Sequence, residues 1–75
     1  MKEYEIVFKY LNACSGSKYP QISFEEASLA SPEAYIQAKH SRDFEKFTKE
    51  VISDSRTIYR YDTGGVVYIY EFTQL

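Results

Sequence analysis

Hydrophobic and polar positions alternate cleanly over residues 2–11, with Tyr4, Ile6, Phe8 and Tyr10 on one side and Glu3, Glu5, Val7 and Lys9 on the other. A period of two marks a half-buried strand. The small, polar residues 12–18, closed by Pro20, read as a hairpin loop. Over residues 21–29, Ile22 and Phe24 begin a second alternation, although Ser23 followed by Glu26 also fits a helix capping box. A strand with an irregular end is the better reading, because a stronger helix start follows at once. Ser31, Pro32 and Glu33 supply an N-cap, a proline for the first helical position and an acid for the first turn.

If the helix begun there runs to about residue 52, then Ile36, His40, Phe44, Phe47 and Val51 trace one buried stripe at spacings of three and four. Arg42, Glu45, Lys46, Lys49 and Glu50 occupy the solvated side, with Glu45 and Lys49 a favourable pair four residues apart. Residues 41–43 are the weak point, since Ser41 suits the cap of a second helix. Ser53, Asp54 and Ser55 end the element.

Residues 56–61 and 66–72 are rich in β-branched and aromatic side chains and are joined by Asp62, Thr63, Gly64 and Gly65, the composition of a tight hairpin. Taking Thr63 and Gly64 as a two-residue loop sets Tyr61 against Val66, Tyr59 against Tyr68, Ile58 against Ile69 and Arg56 against Glu71. A three-residue turn with a glycine bulge shifts that pairing by one. The element order is then ββαββ, an α+β fold in two layers: a four-stranded, mostly antiparallel sheet with one helix packed on one face.

In this arrangement one sheet face carries Tyr4, Ile6, Phe8, Tyr10, Tyr59, Tyr61, Tyr68, Tyr70 and Phe72, and must meet the helix. A helix is about 10 Å across, and four strands spaced ~4.8 Å apart are wider. Some tyrosines should therefore remain at the rim. The second face places Val7, Ile58, Val67 and Ile69 among charges, an apolar stripe that is a candidate surface for self-association. Tyrosine and arginine are enriched at interface centres, which nominates Arg56, Tyr59, Arg60, Tyr61, Tyr68 and Tyr70 as binding residues.

Composition narrows the options. With 75 residues the chain is one domain, residues 1–75. No apolar run approaches the ~20 residues of a membrane span, and no signal peptide precedes Tyr4, so a cytoplasmic location is expected. Nine Lys plus Arg against eleven Asp plus Glu give a net charge of −2, which disfavours nucleic acid as the main partner. A single cysteine, Cys14, allows no internal disulfide, and one Cys with one His cannot complete a four-ligand structural zinc site. No metal or cofactor is expected. A domain below ~80 residues draws only a few kcal/mol from its core, so aromatic packing or a homodimer would help it stay folded. Eight Tyr and five Phe suit the former.

Catalytic chemistry finds little support. Cys14 and His40 are the one nucleophile and base pair on offer, and no spacing brings them together. The run Ser15-Gly16-Ser17-Lys18 lacks the first glycine of a phosphate loop and leads toward a strand. Glu25 and Glu26, adjacent on a strand, point to opposite faces. A sheet with exposed aromatics can stack bases, and Tyr59, Arg60, Tyr61, Tyr68 and Tyr70 allow it, but the glycine and aromatic spacing of an RNA-recognition motif is absent.

The leading expectation is a small non-catalytic module that binds a protein partner, an adaptor or inhibitor acting by occupying that partner's surface. Inhibitors encoded by phages and mobile elements, anti-CRISPR proteins among them, are compatible in size and plan only. Single-stranded nucleic-acid binding through the aromatic and arginine residues is the alternative, and a Cys14-dependent enzyme a distant third.

Overall fold

A computed structural model describes residues 1–12 and 21–75. Five strands, β1 (Lys2–Asn12), β2 (Gln21–Leu29), β3 (Thr48–Val51), β4 (Arg56–Asp62) and β5 (Val66–Gln74), form one sheet in the order β2-β1-β5-β4-β3. Every pairing is antiparallel. A helix, α1 (Pro32–Lys39), and a 3-10 turn over Phe44–Lys46 lie between β2 and β3. The α+β character expected from the sequence holds. The strand number and element order differ, because the second half of the anticipated helix is a turn and a strand.

The helix starts as the sequence indicates. Ser31 is extended and its hydroxyl accepts a 3.1 Å bond from the Ala34 amide, with Pro32 at the first helical position. It stops at His40, whose φ of −130° and ψ of 56° leave the helical region while its amide still donates to the Ile36 carbonyl. The break falls at residues 41–43, the weak point of the helical reading. Asp43 then pairs with Lys46 at 3.7 Å across the 3-10 turn, and the anticipated Glu45–Lys49 pair is lost because Lys49 belongs to β3. The helical stripe is divided accordingly. Ile36 is fully buried and Phe44 and Phe47 pack on the core from the turn, whereas Val51 is 63% exposed on β3. Thr48 to Val51 pair with Arg60 to Thr57 of β4, and that tertiary pairing outweighs the helical spacing of a short segment.

The hairpin between β4 and β5 is present with a different loop. Thr63 and Val66 close it, the Thr63 amide donating to the Val66 carbonyl at 2.8 Å, so Gly64 and Gly65 are its two central residues. Gly64 has a φ of +93°, which favours glycine at the first central position of such turns. Tyr61 therefore pairs with Tyr68 and Tyr59 with Tyr70, two residues from the anticipated register. A shift of two leaves every side chain on its expected side. Arg56 and Glu71 still meet, now as a diagonal pair with 2.5 Å between Nη2 and Oε1.

Of the β1–β2 connection, residues 13–20 lie outside the described residues, and the loop and phosphate-loop readings fall there. β2 is a strand over its whole length, which resolves the Ser23 to Glu26 ambiguity. The buried core is Tyr4, Ile6, Tyr59, Tyr70 and Phe72 from one side of the sheet with Ile36 from the helix, the partition that the alternation implies. Tyr10, Tyr61 and Tyr68 stay half-buried beyond the reach of α1, as a helix too narrow for the sheet requires.

Candidate protein-interaction surface

Antiparallel register assigns each strand residue to one of two sides. On the side away from α1, neighbouring strands place Phe24, Val7, Glu71, Ile58 and Glu50 in one row and Ile22, Lys9, Ile69, Arg60 and Thr48 in the next. No element covers this side among the described residues. At its centre Glu71 is held from two directions, by Lys9 Nζ at 2.6 Å and Arg56 Nη2 at 2.5 Å. Its side chain is only 12% exposed. The Lys9 ammonium, and after it the Arg56 guanidinium, hold the Glu71 carboxyl below its usual range against the opposing effect of burial. A shallow hollow of about 440 Å³ runs beside this triad, floored by Ile58 and Ile69.

The apolar stripe nominated from the sequence lies here. Val7, Ile58, Val67 and Ile69 are all half-buried and share the uncovered side, with Glu71 standing between Val7 and Ile58. Two residues that the sequence reading did not nominate extend the surface to the sheet edge. Ile22 is 50% exposed opposite Lys9, and Phe24 is 73% exposed opposite Val7. Their alternation was visible in the sequence, but its phase relative to β1 depends on the pairing register.

The six nominated binding residues do not form one surface. Tyr59, Tyr61, Tyr68 and Tyr70 lie on the helix side, whereas Arg56 and Arg60 project from the uncovered side, since odd and even positions of β4 point apart. Tyr59 and Tyr70 are each 4% exposed and belong to the core. Tyr35 of α1 packs edge-on to Phe72 and Tyr70, and its hydroxyl donates to Glu25 Oε2 of β2 at 3.0 Å. Burial raises the Tyr70 pKa to about 12, with Tyr35 and Tyr68 adding to the shift, so the phenol keeps its proton. In the Nδ1–H tautomer of His40 the Tyr70 hydroxyl donates to Nε2 at 2.7 Å. His40 thus caps the helix, lies against the rings of Phe47, Tyr68 and Tyr70, and is committed to a structural contact. Cys14 lies outside the described residues. Among those residues no three His, Cys, Asp or Glu side chains gather as a metal site would require, and no helix is long and apolar enough to cross a membrane.

Comparison with family models, curated proteins and solved structures yields no match.

Proposed function

We propose that this chain is a small non-catalytic protein-binding module, an adaptor or inhibitor, that lays the uncovered side of its sheet against a partner protein. The observation that carries this reading is the two-sidedness of the sheet. One side is covered over its centre by α1 and the 3-10 turn, while the other carries no covering element among the described residues and keeps Val7, Ile58, Val67 and Ile69 half-buried, with Ile22 and Phe24 exposed at the edge. Apolar side chains interleaved with charged ones on an uncovered face are the mixture found at non-obligate interfaces, which are about as apolar as the rest of a protein surface. Arg56 and Arg60 stand within it, and arginine is often an interface anchor.

The test is affinity capture from the native host with the wild-type chain and with V67K/I69E as baits. A partner held by wild type and lost by the variant supports the reading. Equal capture by both, with both folded by circular dichroism, removes it.

A second reading has one observation in its favour. Tyr10, Tyr68 and Tyr61 form a half-buried row across three strands, Tyr68 parallel to Tyr61 at 6.1 Å and edge-on to Tyr10 at 5.4 Å, and partly exposed rings can stack on bases. Its weakness is charge, because the two arginines that would meet phosphates project from the opposite side. Titration of a labelled single-stranded oligonucleotide at low salt decides it: binding lost in Tyr68→Ala supports stacking, and no binding ends the idea.

A further inference from the structure

The two edges of the sheet are built differently. β3 is four residues long, carries Lys49, and is bracketed by the 3-10 turn and the turn at residues 53–55, features that blunt an edge against further pairing. β2 is nine residues long and contains no proline, glycine or lysine. It pairs with β1 through nine consecutive partners without a bulge. From Gln21 to Glu26 every residue is exposed. Helix α1 reaches only its later part, through Tyr35 to Glu25 and through packing near Ala27 and Leu29. Among the described residues no strand pairs with the outer side of β2, and an edge strand of this length is a template for another strand.

Charge selects the kind of strand. Glu26 stands directly opposite Glu5, with Glu3 two residues along on the same side. Like charges facing each other across strands are destabilising. None of the three is in an ion pair among the described residues; on that side Lys9 and Arg56 are committed to Glu71, and Arg60 stands on β4, three strands away from β2. A second copy paired symmetrically about the midpoint of β2 would set Glu25 against Glu25 on the helix side, a new like-charge pair, and would leave Glu26 and Glu5 without a cation. A basic strand relieves it. Phe24 and Ile22 share the side of Glu26 and alternate along β2, so the incoming strand should oppose them with apolar residues.

We infer that β2 is a docking edge that takes an extended, basic segment of a partner protein as a sixth strand, with Lys or Arg against Glu26 and Glu5 and apolar side chains against Phe24 and Ile22. The inference rests on the protein-binding reading above and names the partner's chemistry. Main-chain bonds would supply affinity and the alternating side chains specificity, as in other strand-addition complexes.

The test uses the full chain, immobilised, to select from a random nine-residue peptide display library. Alternating apolar and Lys or Arg residues are expected in the survivors. The best synthetic peptide should weaken with added salt, slow amide exchange along β2, and lose binding when N-methylated at alternate residues. Glu26→Lys and Phe24→Ser, both at exposed positions, should each weaken it about tenfold or more, while the exposed Ile52→Ser leaves it unchanged. No enrichment, enrichment of acidic peptides, binding insensitive to N-methylation, or self-assembly of the free protein through β2 would each overturn the inference. If the peptide selection fails while V67K/I69E still loses the captured partner, the strand-addition inference falls and the protein-binding reading stands. Capture insensitive to both sets of substitutions removes both.

Discussion

Phe72 touches aromatic rings on several sides: Tyr4, Tyr35 and Tyr59 meet it edge-on, and Tyr70 stacks along the same strand. It is fully buried. Truncating such a ring costs about 3–5 kcal/mol, comparable with the whole core contribution of a domain this small. Phe72→Ala is therefore expected to unfold the chain, read as loss of far-ultraviolet dichroism and of a urea transition. Phe24→Ala, at a position 73% exposed, should shift stability by no more than ~0.5 kcal/mol. His40 gives a pH dependence. Burial lowers its pKa below the ordinary 6.5, with Lys39 adding and Asp43 opposing. The unfolded chain then binds a proton more readily than the folded one, so stability falls as pH drops through the ordinary value toward the lowered one. Glu71 acts in a separate window: its depressed pKa gives stability that is kept above the ordinary carboxylate value and lost only as pH falls through the depressed one. Urea midpoints between about pH 7.5 and 5.5 should decline more steeply for wild type than for His40→Gln. Parallel curves would contradict the assignment.

At the scale of elements, the helix start and the final hairpin were legible because their signals are local. Ser31, Pro32 and Glu33 act within one turn of backbone. Ser31→Ala removes the bond to the Ala34 amide and should cost about 1 kcal/mol, measured by urea denaturation. A glycine at position 31 should cost less, and no loss in the alanine variant would argue that the cap is idle. The helix end was not legible in the same way. Residues 44–51 keep a helical spacing of apolar side chains, yet Thr48–Val51 is a strand. Tertiary pairing with β4 outweighs a weak local preference, as it commonly does for short segments. The hairpin loop moved by one residue to Gly64 and Gly65, where Asp62 Oδ1 accepts from the Gly64 amide at 2.8 Å and Thr63 Oγ1 accepts from the Val66 amide at 3.0 Å. Those side-chain contacts choose between two glycine-containing loops that composition alone leaves equivalent.

For the molecule as a whole, the central place of β1 and β5 ties residues near both ends of the chain into one sheet. The Leu75 amide donates to the Glu3 carbonyl at 2.9 Å, and the Gln74 amide to the Ser55 carbonyl at 2.7 Å. Helix, turn and sheet converge on the same ring cluster around Tyr70 and Phe72. Unfolding is accordingly expected to be one cooperative step. Far-ultraviolet dichroism and tyrosine fluorescence should give coincident urea midpoints, and separated midpoints would show that α1 and the 3-10 turn loosen independently of the sheet.

The alternation of ring-bearing and charged positions by itself determined which side of the sheet each strand side chain takes, because the pleat ties odd and even residues to opposite sides whatever their neighbours are. It also determined that the four nominated tyrosines and the two arginines could not share a surface. Only the tertiary structure decided that β2 and β3 are the edges, and that Ile22, Phe24 and Glu26 therefore stand at the rim of the uncovered side. Strand order and register depend on contacts between residues far apart in the chain, and no local pattern encodes which two segments will find each other.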